Sequence, residues 1–260
     1  MQLTDIQKQM MMTFLSLRVG IGVIGIVFPF LLWWGGCIFY HLPQADSMSA
    51  YYHATPTCMD AHLNICGQCG VDSQHPPLPL PALPTGEGPM RNWFVGFLSA
   101  IGVGLYLVKG FSKQENVLLT IAGILAVVVA TNPMPWVHGP PTWKHVHYIA
   151  AVTFFILIGL VIWICSGKTL KFMPEIPNRD KVIARFKHTY RVLAIVMAAS
   201  PFGAILLFKV AGLPQGIFWA EAAGVVSFGI FWLVKTWELS KSEVEHRALR
   251  GEINMDTSKL

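Results

Sequence analysis

Long apolar segments separated by short polar ones dominate the chain. Six of them are candidate membrane spans, at residues 19–40, 92–108, 117–131, 147–165, 192–210 and 213–234. Uncharged apolar runs of roughly 20 residues match the hydrocarbon core of a bilayer. The two-residue alternation that a membrane β-barrel requires does not recur. The pattern therefore predicts an all-α integral membrane protein, a bundle of six transmembrane helices.

The segments outside these spans differ in character. Residues 1–18 form an amphipathic leader, residues 41–91 a long loop rich in cysteine, histidine and proline, and residues 239–260 a charged tail. The other five spans make up residues 92–238. A cleavable signal peptide is disfavoured, because the first apolar run is too long and ends in the bulky sequence WWGGCIFYH.

Composition and charge placement predict both lipid burial and topology. The chain is 53% hydrophobic and 13% charged, which is too apolar for one soluble core. The chain has a net charge of +5, and its basic residues lie beside the spans, in the leader, the 109–113 turn, the 168–191 connector and the tail. This placement argues against a nucleic-acid partner. The positive-inside rule then places both termini in the cytoplasm, and we expect a plasma membrane or a bacterial inner membrane.

Histidines concentrate on the predicted outer side. Seven of the nine lie there: His41, His53, His62, His75, His138, His145 and His147. Histidine is a common metal ligand and near-neutral acid or base, so this clustering favours an outer-face site. The alternative is that histidine is simply tolerated in loops and at membrane interfaces.

The loop after the first span carries a cysteine-histidine motif. If residues 58–66 are helical, Cys58, His62 and Cys66 share one face, and Cys69 follows a glycine. Such soft ligands, joined by residues such as His53 and His145, could bind zinc or copper. Outside the cytoplasm, disulfides among these cysteines and Cys37 are the competing interpretation.

A second candidate site is a polar cavity at the outer ends of the spans. We expect it to be lined by Arg91, Asn92, His147, Glu221 and Tyr52. Glu221 is the only acid inside a predicted span, and His147 and Arg91 are its expected partners. Buried ionisable groups in spans pair with each other or line a wet cavity, so membrane lipid is the expected ligand.

Two family resemblances bear on function. Six spans, the segment beginning His147-Tyr-Ile-Ala-Ala-Val-Thr-Phe, and Trp219-Ala-Glu221 resemble the family of damage-regulated autophagy modulators and post-attachment GPI-anchor remodelling proteins. The likeness covers the spans and not the cysteine loop. It implies a lipid-handling or regulatory membrane protein, with His147 and Glu221 as the positions that carry over.

The second resemblance is narrower. Ser49 and His53, four residues apart, resemble the first Ser-x-x-x-His pair of the alkaline-ceramidase and adiponectin-receptor superfamily of membrane zinc hydrolases. Seven spans are expected there against six here, no aspartate lies within a span, and the closing His-x-x-x-His is absent. A serine and a histidine on one helical face would also suit nucleophile activation.

These patterns leave two function hypotheses. The first is a non-catalytic or lipid-handling protein with an outer-face cavity. The alternative is an outer-face metal-binding protein, such as a zinc-dependent lipid hydrolase. A transporter is disfavoured because paired charges in broken or repeated spans are missing. A partner protein could dock on the proline-rich loop or the cytoplasmic tail.

Overall fold

The computed structural model describes residues 5–54, 88–132, 134, 145–213 and 215–250, and these contain helices and turns without a strand. The helices are α1 Asp5–Tyr40, α2 Arg91–Leu107, α3 Lys113–Thr131, α4 Val146–Phe172, α5 Arg179–Lys209, α6 Gly216–Ser242 and the short α7 Val244–Leu249. Helix α1 includes a π-turn at Leu31–Gly35, and α4 includes one at Val161–Cys165. The predicted all-helical class is confirmed.

Five helices are long and apolar enough to cross a membrane: α1, α3, α4, α5 and α6. Helix α2 has 17 residues and, at about 1.5 Å per residue, is about 26 Å long. This is slightly less than the roughly 30 Å of a hydrocarbon core. The multi-pass character follows from the five helices, and a sixth span at α2 stays a prediction.

Several helices extend beyond the predicted span limits. The leader is continuous with the first span in α1, α5 begins in the basic connector at Arg179, and α6 continues to Ser242. Lysine, arginine and glutamate are good helix formers, so the backbone remains helical after the apolar run ends. Hydropathy predicts where a helix meets lipid, not where the helix stops.

The six long helices form a closed ring. Each one packs against the next in sequence, and α6 also packs against α1. Neighbours run antiparallel, so the helix ends fall into two groups. We call the end that holds Tyr40, Arg91, Thr131, Val146, Lys209 and Gly216 the His147 end, and the opposite one the Lys235 end.

Glycines allow the closest helix contacts in the ring. A Cβ added at Gly229 of α6 would lie 2.5 Å from the carbonyl oxygen of Gly22 on α1. A Cβ at Gly123 of α3 would lie 2.5 Å from the Gly102 carbonyl oxygen of α2. Small residues at helix interfaces let backbones approach closely, which is a main source of packing energy in membranes.

A buried ion pair joins helices near the Lys235 end. The Lys235 ammonium donates to Glu238 Oε2 at 2.7 Å, to Thr169 Oγ1 at 2.5 Å and to the Ser166 carbonyl oxygen at 2.8 Å. Tyr190 and Thr169 each donate to a Glu238 oxygen at 2.7 Å. Both charges are almost fully enclosed, with Lys235 3% and Glu238 0% exposed. The cluster therefore ties α4, α5 and α6 together.

This cluster corrects one expectation from the sequence. Glu221 is not the only acid within the long apolar helices, since α6 includes Glu238 and the first turn of α3 includes Glu115. Glu115 is buried, and its Oε2 accepts a hydrogen bond from the Phe111 backbone at 2.9 Å. The predicted spans ended before Glu238 and began after Glu115, which is why both were missed.

We predict that Gly229→Ala destabilises the protein by about 1 to 3 kcal/mol, because the new methyl group must push α1 and α6 apart. The measurement is thermal unfolding in detergent. Gly20→Ala is the matched control, since a Cβ there meets nothing within 4 Å. A midpoint for Gly229→Ala equal to that of the control would contradict the close contact.

We predict that Lys235→Met lowers the free energy of unfolding by about 3 to 5 kcal/mol, because it leaves the Glu238 carboxylate buried without its cation. Denaturant titration in detergent measures the change. Lys241→Met on the exposed face of the same helix is the control and should cost less than about 1 kcal/mol. Equal losses in both variants would show that the ion pair has no special role in stability.

Candidate functional site

The residues after α1 lie across the His147 end of the ring. His41 caps α1 in the left-handed conformation, with φ 51°, and turns the chain. Leu42 and Tyr51 are then almost completely buried, and the Phe218 N–H of α6 donates to the Asp46 carbonyl oxygen at 2.8 Å. Burial raises the pKa of Tyr51, which therefore remains a neutral phenol. We call residues 42–54 the plug.

Ser49 in the plug contacts His147 at the start of α4. Its Oγ lies 2.9 Å from His147 Nε2, and the other ring nitrogen, Nδ1, lies 2.7 Å from the Asn132 carbonyl oxygen. His147 is 3% exposed and Ser49 is 9% exposed. A carbonyl oxygen can only accept, so Nδ1 carries a proton. In the neutral ring Nε2 then accepts from the Ser49 hydroxyl.

Glu221 of α6 holds the plug from another side. Its Oε2 accepts a hydrogen bond from the Met48 backbone N–H at 2.7 Å. The sequence predicted His147 or Arg91 as its partner, but His147 binds Ser49 and Asn132 instead. The sequence could not show that a loop backbone would reach this carboxylate. Because Met48 precedes Ser49, Glu221 fixes the position of the serine.

A cavity of about 50 Å³ lies inside the ring beneath the plug. Its wall is almost entirely apolar, and its polar residues are Ser49 and Glu221. The rest of the lining comes from the plug, α1, α2, α3, α4 and α6: Met48, Phe28, Phe94, Leu98, Ala126, Val129, Ala151, Phe154, Phe155 and Val225. A space of this size holds a few water-sized groups.

The other predicted cavity residues lie beside this space. Arg91 donates to the Tyr52 hydroxyl at 2.9 Å, with its guanidinium carbon 5.2 Å from the centre of the Tyr52 ring. Asn92 is exposed on α2, in a separate groove with Trp93. The structure thus places Glu221 at the cavity wall, His147 behind Ser49, and Arg91 with Tyr52 at the edge of the plug.

The metal-binding and disulfide hypotheses are tested only in part. Within the described ranges, no group of three histidine, cysteine or acidic residues lies close enough to hold a metal ion. His53 Nε2 lies 3.3 Å from the Met134 carbonyl oxygen, and His145 is the residue before α4. Cys58, His62, Cys66 and Cys69 fall outside the described residues, so the zinc or copper site there stays a prediction.

Sequence spacing suggested the wrong histidine for Ser49. His53 lies one helical turn away in sequence, but residues Ser49–Tyr52 form a 3₁₀ helix that ends at His53. The contact is with His147, 98 positions along the chain. The useful signal was the position of His147 at the start of a predicted span, which puts it level with the loops at that end.

The chain was compared with models of known protein families, with curated proteins and with solved structures. None of the three comparisons finds a match.

Proposed function

We propose that this protein is a polytopic, lipid-handling membrane protein that binds the polar linkage of a membrane lipid at the His147 end. In this proposal α2 is a sixth span, both termini are cytoplasmic, and the His147 end faces outward. The basic 168–191 connector at the Lys235 end supports that orientation. So does the position of His41, His53, His145 and His147 at the other end.

The placement of polar groups on an apolar cavity is the observation that carries the proposal. Ser49 and Glu221 lie at a wall otherwise made of aromatic and aliphatic side chains. A lipid has the same chemistry at its ester or amide linkage, where a polar carbonyl adjoins a hydrocarbon chain. The cavity holds the first carbons of such a chain, and the remainder extends between helices towards the bilayer.

Cross-linking tests this proposal. The full chain is reconstituted in vesicles containing a diacyl phospholipid with a photoreactive group near its ester, and cross-linked peptides are identified by mass spectrometry. We expect cross-links at the plug and at cavity residues of α4. Cross-links confined to the outer, lipid-facing sides of the helices would contradict the site.

We predict that Ala151→Leu lowers cavity cross-linking about fivefold or more, since an extra side chain that costs a guest about 1 kcal/mol reduces occupancy by that factor. Ala151 lines the cavity. Ala199→Leu, at an exposed position of α5, makes the same change on the lipid-facing surface and should leave the cross-link yield unchanged. Equal yields in the two variants would place the bound lipid elsewhere.

We also infer that the 55–87 segment is fastened to α1 through Cys37. Cys37 is buried at the His147 end of α1, and the segment that follows this helix carries Cys58, Cys66 and Cys69, whereas Cys165 is a free buried thiol. In this proposal Cys37 forms a disulfide with one of these three cysteines, as is typical of extracytoplasmic segments.

We predict that denatured, unreduced protein contains fewer reactive thiols than the five cysteines of the sequence, and that Cys37→Ser frees one loop thiol. Alkylation followed by peptide mass spectrometry measures both. Five reactive thiols in the unreduced protein would exclude the tether.

A further inference from the structure

We propose that Ser49 and His147 form a nucleophile–base pair that transfers an acyl group from an ester-linked membrane lipid to water. This inference rests on the proposed lipid site and adds a reaction to it. The lipid site can exist without the reaction, so the two can fail separately.

The hydrogen-bond chain through His147 has the arrangement of an activated serine. The Asn132 carbonyl oxygen fixes the proton on Nδ1 at 2.7 Å, and this leaves Nε2 to accept from Ser49 Oγ at 2.9 Å. A nucleophile within hydrogen-bond reach of a base, with the base oriented by a third group, is the general signature of nucleophilic catalysis. Here a backbone carbonyl takes the orienting role.

The surroundings distinguish this pair from a simple structural hydrogen bond. Ser49 lines the apolar cavity, so this residue lies beside space that a lipid chain can occupy. His147, 3% exposed, lies behind it and is almost fully enclosed by protein. Glu221 holds the neighbouring Met48 N–H and acts as a positioning residue for the serine, without a role in proton transfer.

The reaction proceeds in two balanced steps. Ser49 Oγ attacks the ester carbonyl carbon while Nε2 of His147 takes the hydroxyl proton. The carbon–oxygen bond to the lipid alcohol then breaks, and His147 returns the proton to that leaving oxygen. Water next attacks the acyl-serine through the same base, which releases a fatty acid and restores the Ser49 hydroxyl. No oxidant or metal ion is required.

A long-chain alkyl fluorophosphonate tests the pair directly. This probe reacts with an activated serine, losing fluoride and leaving a stable phosphonyl-serine that intact and peptide mass spectrometry identify. With the full chain in detergent, we expect one adduct at Ser49 among the serines of the folded protein. Ser49→Ala should abolish it.

Two histidine variants show whether His147 is the base. His147→Gln should slow labelling by at least about 100-fold, the usual contribution of a general base. His188→Gln is the matched control, because His188 is exposed on α5, outside the plug and the cavity. Labelling at the wild-type rate is expected there. Thermal unfolding is measured for both variants to check that they remain folded.

Measurements on the wild-type protein can overturn the lipid site or the reaction, and the His147 variant tests the base. Lipid cross-linking at the cavity without a Ser49 adduct would refute the reaction and leave the lipid site standing. A Ser49 adduct that forms equally fast in folded His147→Gln would refute the base. Loss of the cavity cross-link in the wild type would refute the lipid site and this inference with it.

Discussion

The contact between the first and last long helices determines the rest of this structure. Gly22 on α1 and Gly229 on α6 bring the two backbones together and close the ring. Lipid gives little hydrophobic drive for helices to associate, so close packing must provide it. Once the ring is closed, the plug that follows α1 can pack across the end of a single interior. Both sides of the site, the plug from α1 and Glu221 from α6, therefore depend on this contact.

Hydrogen bonds from the surrounding helices explain how the irregular backbone of the plug can lie at the end of the ring. Irregular backbone near membrane depth is tolerated only where protein satisfies its hydrogen bonds. Glu221 accepts from the Met48 N–H, the Asp46 carbonyl accepts from the Phe218 N–H, and the Ser49 hydroxyl meets His147. The groups proposed to meet a ligand are thus the same groups that allow the plug to fold.

The sequence predicts the helices of this fold better than its site. Apolar runs identify the long helices because lipid imposes a length on them. They also place His147 and Glu221 at one end. Two features of the structure were not predicted from the sequence. The Ser49–His147 contact joins a loop to a distant helix, and spacing within the loop suggested His53 instead. Lys235 and Glu238 lie just after the last predicted span, which ended at residue 234. Hydropathy cannot tell a charge that faces water from one enclosed by Thr169 and Tyr190.

The two ends of the ring differ in how firmly they are closed. At one end, the enclosed Lys235–Glu238 pair on α6 is linked to α4 and α5 by four short hydrogen bonds. At the other, a short segment of chain covers an apolar space. A molecule entering past the plug would meet a floor that can open only by separating opposite charges in a medium of low dielectric constant. Within the described residues, the ring therefore widens more easily at the plug than at the end where Lys235 and Glu238 are enclosed.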